Sequence, residues 1–486
     1  MTASNESQIP TQHVDLLVIG SGSGNSLVTP DWQGRTVGIV EDGVFGGTCL
    51  NVGCIPTKMF SYAAKVADTV ATASRYGIDA RLEGVRWADI RDRIFGRIDP
   101  ISAAGRDYRV NGADTRAYLG RARFVGERIV RVRLHDEAQA TQAADVPVGT
   151  REVEVVADQV VIAAGAHAVV PPVVRESGVP FHTSDTIMRL EELPQRLLIL
   201  GGGYIACEFA DVFGAFGTQV TILARGPHLL RHLDGQISQR FTELARQRWD
   251  VRTETVIEAL EQVALEGGGH AIRARLSDGT TCEADALLVA AGRSPNTQDL
   301  DCAAAGVQVH SDGRVVVDEY GRTSAPGVWA LGDVSSPHQL KHVANAEARV
   351  VAHNLVHPEQ LRAFDHRFVP AAVFTHPQIA TVGATREELE AAGTPYRAHT
   401  QAYGDVAYGW AMEDTEGFCT VLADPHDGRL LGAHLMGEDA SSLIQPLIQA
   451  MSFGQRAASV ARDQYWIHPA LAEVVENALL GVVDAD

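Results

Sequence analysis

Two stretches constrain this chain more than any others: HVDLLVIGSGSGN at residues 13–25 and RLLILGGGYIA at 196–206. Each is a short apolar run closed by a glycine turn. An unbroken run of Val, Leu and Ile reads as a strand buried on both faces of a parallel sheet. A glycine turn at its end lets the backbone close on a pyrophosphate and aims the next helix at it. Each stretch leads on to a second strand, RTVGIVE (35–41) and TQVTILAR (218–225). The pattern is one nucleotide-binding unit used twice, not a short-period repeat.

The first unit carries Gly20, Gly22 and Gly24, with Glu41 at the tip of its second strand. An acid about 20 residues beyond the turn is placed to take a ribose hydroxyl. Asn25 stands where the usual spacing has its third glycine, so strand, turn and acid must be weighed together. The second unit has Gly201, Gly203 and Ala206, but its strand tip carries Ala224 and Arg225, with Arg231 close behind. Two guanidiniums can pair with a 2′-phosphate, and no carboxylate is there to repel it. NADPH is expected there rather than NADH; the alternative is two solvated surface arginines. Two units in one chain suggest FAD at the first and NADPH at the second. WALGDV (329–334) agrees, since Asp333 at a strand end could meet a flavin ribityl hydroxyl, although such turns are common.

A third feature, GGTCLNVGCIPTK (46–58), sets Cys49 and Cys54 five positions apart. Zinc would want two more ligands in a compatible spacing, and Cys207, Cys282, Cys302 and Cys419 are scattered singly. Burial of two unrelated thiols and a redox disulfide remain. Residues five apart on a regular helix lie ~8–9 Å apart between Cα atoms. A disulfide needs less than ~7 Å, so the segment must be distorted for the bond to close. Gly53 is expected to allow unusual backbone angles, and Pro56 removes a helix donor. Lys58, one turn beyond Cys54, would favour a thiolate.

Composition excludes several classes. The 486 residues allow about three domains at ~150 residues each. A net charge of −20 argues against a nucleic-acid or anionic-membrane surface. The start MTASNESQIPTQHVD has neither the basic nor the apolar part of a secretory signal. No apolar run reaches the ~18–20 residues of a spanning helix. A cytoplasmic protein is expected, and in a reducing compartment a close cysteine pair suggests redox chemistry. The stretches 135–152 and 267–269 read as surface hairpin connections, and from about residue 363 the glycine turns give way to hairpin-like strands and helices.

Taken together, the chain resembles the pyridine nucleotide–disulfide oxidoreductases. GGTCLNVGCIPTK is highly specific to that family, and GGGYIACEFA, AAGRSPNT (290–297), WALGDV and YWIHPALAEVVENAL (465–479) follow in its order. The resemblance implies an α/β fold with two Rossmann-like dinucleotide-binding domains and a C-terminal α+β dimerisation domain. The FAD-binding domain would comprise 12–172 and 293–362, the NADPH-binding domain 173–292 and the dimerisation domain 363–486. It further implies that Cys49 attacks the disulfide substrate and that Cys54 is the thiolate that faces the flavin and forms its charge-transfer complex. Lys58 would lie near flavin N5, paired with Glu208. Gly47, Thr48, Asp333 and Arg293 would line the FAD, and Tyr204 would gate the nicotinamide. His468 and Glu473 match an acid–base pair that reaches across an obligate homodimer to the other subunit's cysteines. Without the cysteine motif, His468–Pro469 would read as the start of the last helix, with Pro at its first position.

Within the family, GSGSGN, FHTSDT, LKHVANAEAR and DVAYGWAMEDT are similar to the branch that reduces mycothione, the disulfide of a cysteine linked to a glucosaminyl-inositol. Relatives that use a second C-terminal cysteine pair are disfavoured, because the last cysteine is Cys419. The NAD-dependent lipoamide dehydrogenases are disfavoured by Arg225 and Arg231. The alternatives are a reductase of glutathione disulfide or a related small disulfide, a carrier subunit of a multienzyme complex, or a flavin-bearing redox sensor.

Overall fold

The structure, a computed structural model, describes residues 9–135, 150–265 and 268–483. Most of 135–152, and Gly267 of the 267–269 turn, lie outside the described residues. The chain divides into two compact units. The first comprises Met1–Pro56, Asp92–Ala168 and Arg293–Asp365; the second comprises Thr57–Arg91, Val169–Gly292 and His366–Asp486.

The first unit is built on parallel strands lying side by side in the order Thr115–Gly126, Val37–Glu41, Thr11–Ile19, Glu152–Ile162 and Val328–Ala330. Ile129–Leu134 runs antiparallel to both Thr115–Gly126 and Glu152–Ile162. Val18 in the central strand pairs with Ile39 on one side and Val161 on the other, and all three are fully buried. That explains the unbroken apolar run, since a central parallel strand has no wet face.

The element after the first glycine turn differs from the expected helix. It is a 3₁₀ turn, Ser23–Leu27, followed by another at Pro30–Trp32. Pro30 accounts for the interruption, because a proline turns its predecessor away from helical angles; Thr29 is extended at φ −91°, ψ 168°. The displaced glycine spacing also has a structural role. A Cβ on Gly24 would come within 2.7 Å of Val18 Cγ1 and 2.8 Å of Ala163 Cβ, so Gly24 provides the close packing onto the sheet. Asn25 instead accepts a hydrogen bond from Arg109 Nε at 2.9 Å.

The second unit contains a four-stranded parallel sheet in the order Ala286–Val289, Arg196–Leu200, Gln219–Leu223 and Asp250–Arg252. Here the glycine turn does lead into an α-helix, Tyr204–Ala215. A three-stranded antiparallel sheet follows. The C-terminal part is a five-stranded antiparallel sheet ordered Ala371–Val373, Gln378–Gly383, Leu430–Gly437, Phe418–Ala423 and Arg397–Ala402. The last helix, Glu473–Val483, buries Val475, Ala478, Leu479 and Val482 in the core cluster that this sheet forms. Their i, i+3, i+4, i+7 spacing is that of one helical face.

A fully buried carboxylate fastens the Tyr204–Ala215 helix to the segment before Gln378. Asp211 accepts from the His376 backbone N–H at 3.2 Å and from Arg248 Nη1 at 2.9 Å, and its Oδ2 lies 2.6 Å from His376 Nδ1. Removing one partner of a buried ionic cluster strands the others, at a cost of about 3–5 kcal/mol. Asp211→Ala should therefore lower the unfolding free energy, read from chemical denaturation followed by tryptophan fluorescence, by an amount of that order. An unchanged midpoint would mean that the cluster contributes nothing to stability.

Candidate active site

Cys49 and Cys54 belong to two different helices. Gly47–Asn51 forms a short helix, and Cys54 is the first residue of the next, Cys54–Thr72. The break at Val52, with φ −143° and ψ 13°, replaces the flexed single helix expected from the sequence. Gly53 also acts differently from expectation, since its φ is not in the left-handed region. A Cβ there would lie 3.0 Å from the Thr48 carbonyl oxygen and 3.3 Å from Cys49 Cα, so glycine is needed for close approach. Asn51, not singled out from sequence, donates through Nδ2 to the carbonyls of Phe45 and Gly47, each at 3.0 Å, and so pins the first helix.

Both thiols are free. The neighbouring Cys54 thiol is the main reason the Cys49 pKa is lowered to about 7; burial opposes it, while the Lys341 ammonium adds to it. The Cys54 thiol is shifted upward by the neighbouring Cys49 sulfur and by loss of solvent around its own sulfur, although the residue is exposed. Lys341 was missed from sequence. Its signal was a lysine opening the Lys341–Val356 helix, at the end that repels cations.

The first unit brings its remaining expected residues to the same glycine-rich corner. A Cβ on Gly47 would come within 2.6 Å of Gly22 Cα, so the cysteine segment lies directly against the nucleotide turn. Gly20 has φ +108°, and a Cβ there would strike the Ala163 carbonyl oxygen at 2.3 Å. Glu41 Oε2 accepts from the Ser21 N–H at 2.9 Å and from its hydroxyl at 2.5 Å. Ser21 Oγ in turn accepts from the Gly46 N–H at 2.8 Å. Asp333 sits on the 3₁₀ turn Gly332–Val334. Burial raises its pKa, while Arg293 and Lys341 pull it down. Arg293 Nε is 4.0 Å from Asp333 Oδ2. A cradle that any side chain would fill, an acid at the strand tip and a half-buried carboxyl fit an adenine dinucleotide carrying a flavin.

In the second unit, Lys58 lies over the Phe374 ring with its Nζ 3.5 Å from the centroid. Burial lowers its pKa, opposed by the charge of Glu208. Glu208 accepts from the Phe374 backbone N–H at 2.9 Å, so one residue supports both partners of the expected pair. At the second glycine turn, Gly201 has φ +140°, and a Cβ there would meet the Ala290 carbonyl oxygen at 2.1 Å. A Cβ on Gly203 would meet nothing within 4 Å, leaving open space at the start of the Tyr204–Ala215 helix. Tyr204 opens that helix and is 41% exposed. Arg225 and Arg231 are both exposed, and Arg231 Cδ would lie 3.5 Å from a Cβ on Gly226, which puts the two arginines at one corner.

His468 Nδ1 lies 2.7 Å from Glu473 Oε1, and Glu473 Oε2 accepts from the Ala470 N–H at 3.2 Å. The hydrogen bond with His468 lowers the Glu473 pKa. The last helix begins at Glu473, not at Pro469, which follows a cis peptide bond. Pro469 is therefore not at the first helical position. The His468 side chain is 71% exposed, free to meet something beyond this chain.

Two glycine turns on parallel sheets, a thiol pair beside the first and a C-terminal α+β module agree with the family comparison. The description "Pyridine nucleotide-disulphide oxidoreductase" matches residues 14–349, and the dimerisation domain of the same family matches 369–479. The chain belongs to the pyridine nucleotide–disulfide oxidoreductases; it is an FAD-dependent enzyme of NADPH-dependent disulfide reduction. It is 54% identical to mycothione reductase of Mycobacterium tuberculosis over 477 residues, covering 96% of this chain and 99% of that protein. It is 31% identical to glutathione reductase of Burkholderia cepacia, covering 94% of this chain and 97% of that protein. Among solved structures it superposes on a Cu(II) complex of the HOCl-induced flavoprotein disulfide reductase RclA from Escherichia coli. The TM-score is 0.83 at 27% identity, covering 97% of this chain and 100% of that one. Among the described residues, no helix is long and apolar enough to cross a membrane.

A thiol with its pKa lowered to about 7 is mostly thiolate above that pH and mostly thiol below it. Alkylation of the reduced protein by iodoacetamide, mapped by mass spectrometry, should rise at Cys49 with a midpoint near pH 7. Cys54 should stay unmodified over the same range. Equal labelling of both residues would contradict the proton placement.

Proposed function

We propose that the chain reduces mycothione to two molecules of mycothiol through the Cys49–Cys54 pair. The observation that carries the chemistry is the pair of free thiols set on two helices across the break at Val52, with the first helix packed through Gly47 against Gly22 of the glycine turn. The substrate reading is supported by the similarity to mycothione reductase, which spans nearly the whole of both chains.

Bound FAD would supply a two-electron relay between NADPH and the Cys49–Cys54 disulfide. Glu41, Ser21, Gly20, Gly22, Gly24, Gly47, Thr48, Asp333 and Arg293 would hold it, in an FAD-binding domain formed by 12–172 and 293–362. Lys58, steadied by Phe374 and Glu208, would stand near the flavin ring. Residues 173–292 would bind NADPH, with Gly201 and Gly203 facing its pyrophosphate, Tyr204 covering the nicotinamide site and Arg225 and Arg231 gripping the 2′-phosphate.

In the reduced pair, Cys49 thiolate attacks one sulfur of the substrate disulfide. A Cys49–substrate disulfide forms, and the first mycothiol leaves with a proton from His468 of the partner subunit. Cys54 then attacks Cys49, closing the protein disulfide and releasing the second mycothiol. Glu473 holds the imidazole by its Nδ1, leaving Nε2 to carry the proton. Residues 363–486 would supply the homodimer contact, and the exposed Trp410, Phe453, Tyr465 and Ile467 support that reading. Singly scattered structural cysteines fit a reducing cytoplasm.

The first test is NADPH consumption by the purified protein with mycothione and glutathione disulfide compared side by side. Mycothione should be strongly preferred; preference for glutathione disulfide would leave the chemistry standing and reassign the substrate. Cys49→Ser should abolish turnover of either disulfide while NADPH still bleaches the flavin. Replacing Arg225 and Arg231 by Ala should raise KM for NADPH roughly 10- to 100-fold, the loss of one or two charge-assisted hydrogen bonds, and leave KM for NADH unmoved. Equal effects on both cofactors would remove the 2′-phosphate role.

A further inference from the structure

We propose that Ser238 and Thr242 are positioning residues for NADPH. Their buried hydroxyls hold the loop that carries Arg225 and Arg231, and so set the preference for a cofactor with a 2′-phosphate. The proposal rests on the reading above that these two arginines grip that phosphate.

The loop leaves the strand Gln219–Leu223 at Ala224 and ends at Asp234, whose side chain accepts from the Gln236 N–H and caps the helix Gly235–Arg248. Arg225 and Arg231 are exposed on it, whereas Leu229 and Leu230 between them are buried. The Leu229 N–H donates to Thr242 Oγ1 at 2.9 Å, and Ser238 Oγ donates to the Leu229 carbonyl at 2.7 Å. Thr242 Oγ1 in turn donates to the Ser238 carbonyl at 2.7 Å. Both backbone groups of one loop residue are thus taken by two hydroxyls that stand four residues apart, on one face of the helix. Ser238 and Thr242 are themselves buried, so they reach the cofactor only through this backbone.

The next residue redirects the chain outward. The Leu230 N–H donates to the Gly202 carbonyl at 2.7 Å, and Leu230 holds φ +53°. A leucine stays in that left-handed region only where its surroundings hold it there. From this bend the chain passes from buried Leu229 to exposed Arg231. The other end of the loop is fastened as well, since the Thr255 N–H donates to the Ala224 carbonyl and the Glu254 N–H to the Gly226 carbonyl, each at 3.1 Å. A guanidinium on a loose loop gives up freedom when it meets a phosphate; on a fastened loop it gives up less. Gly201 of the glycine turn is held separately, its N–H donating to the Leu223 carbonyl at 2.9 Å. Freeing Leu229 therefore loosens the arginine loop before it disturbs the turn that faces the pyrophosphate common to NADH and NADPH.

The test uses the FAD-loaded protein and calorimetric binding of adenosine 2′,5′-bisphosphate and of 5′-AMP, which differ by the 2′-phosphate alone. Thr242→Val keeps the side-chain shape and strands the Leu229 N–H; Ser238→Ala strands the Leu229 carbonyl. Each should weaken bisphosphate binding roughly fivefold, the size of one net hydrogen bond, and leave 5′-AMP within about twofold. Thr242→Ser, which keeps the hydroxyl, should bind the bisphosphate as the wild type does. Equal weakening of both ligands would make the clasp a general support of the domain, and unchanged binding of both would leave it without a role; either result overturns the proposal. If Thr242→Val fails to fold, Ser238→Ala read in the same way decides. The double variant Arg225→Ala, Arg231→Ala separates this proposal from the reading beneath it. If the double variant loses the preference for the bisphosphate while the hydroxyl variants keep it, the clasp alone falls. If the double variant keeps that preference, the 2′-phosphate reading falls and the clasp with it.

Discussion

The contact on which the site depends is steric: Gly22 and Gly47 meet at a distance that admits no side chain on Gly47. Because they meet, the first glycine turn and the cysteine segment share one wall, and the packing that shapes the turn also fixes the thiols. Ser21 extends this, accepting from the Gly46 N–H while its own N–H and hydroxyl go to Glu41. Moving any of the three would move the other two. The proximity that disulfide chemistry needs is therefore set by backbone packing rather than by the reach of side chains.

Two helices, rather than one, solve the spacing of the cysteines. A continuous helix would keep Cys49 and Cys54 too far apart, and a loop would let them wander. A break at Val52–Gly53 places each sulfur on a separate rigid piece, with Asn51 Nδ2 donating to the Phe45 and Gly47 carbonyls to hold the first piece down. In the second unit, Asp211 and Glu208, one turn apart on the same helix, hold His376 and Phe374 in register. Phe374 gives its amide to Glu208 and its ring to Lys58, so the surroundings of that lysine are set by a strand-end segment rather than by its own helix.

Much of this was legible in the sequence because the signals were redundant. Strand and glycine turn agreed on both units, with an acid at the strand tip of the first and arginines at that of the second, and the cysteine stretch had little meaning outside redox chemistry. What was not legible was geometry that depends on a neighbour from elsewhere in the chain. Asn25 looked like a damaged glycine motif until Gly24 was found packed on Val18 and Ala163. Gly53 was assigned to backbone freedom, whereas it serves a close approach that only the folded Thr48–Cys49 segment defines. Pro469 looked like a helix start because proline is common there, but the helix waits for Glu473, whose side chain is drawn back to His468 and the Ala470 amide. Lys341 was hidden for the same reason: its Nζ donates to Ser23 Oγ, more than three hundred positions away.

The division of protons between Cys49 and Cys54 also bears on damage. A thiolate ready for a disulfide is equally ready for a peroxide, which would take it to sulfenic acid with release of hydroxide. Left alone, such a sulfur climbs to states that no thiol can reverse. Here a second free thiol, Cys54, opens the next helix just across the break at Val52. Cys54 can condense with the sulfenic acid, expel water and restore the ordinary disulfide. The arrangement that makes the centre reactive thus also keeps its oxidation on the repairable rung.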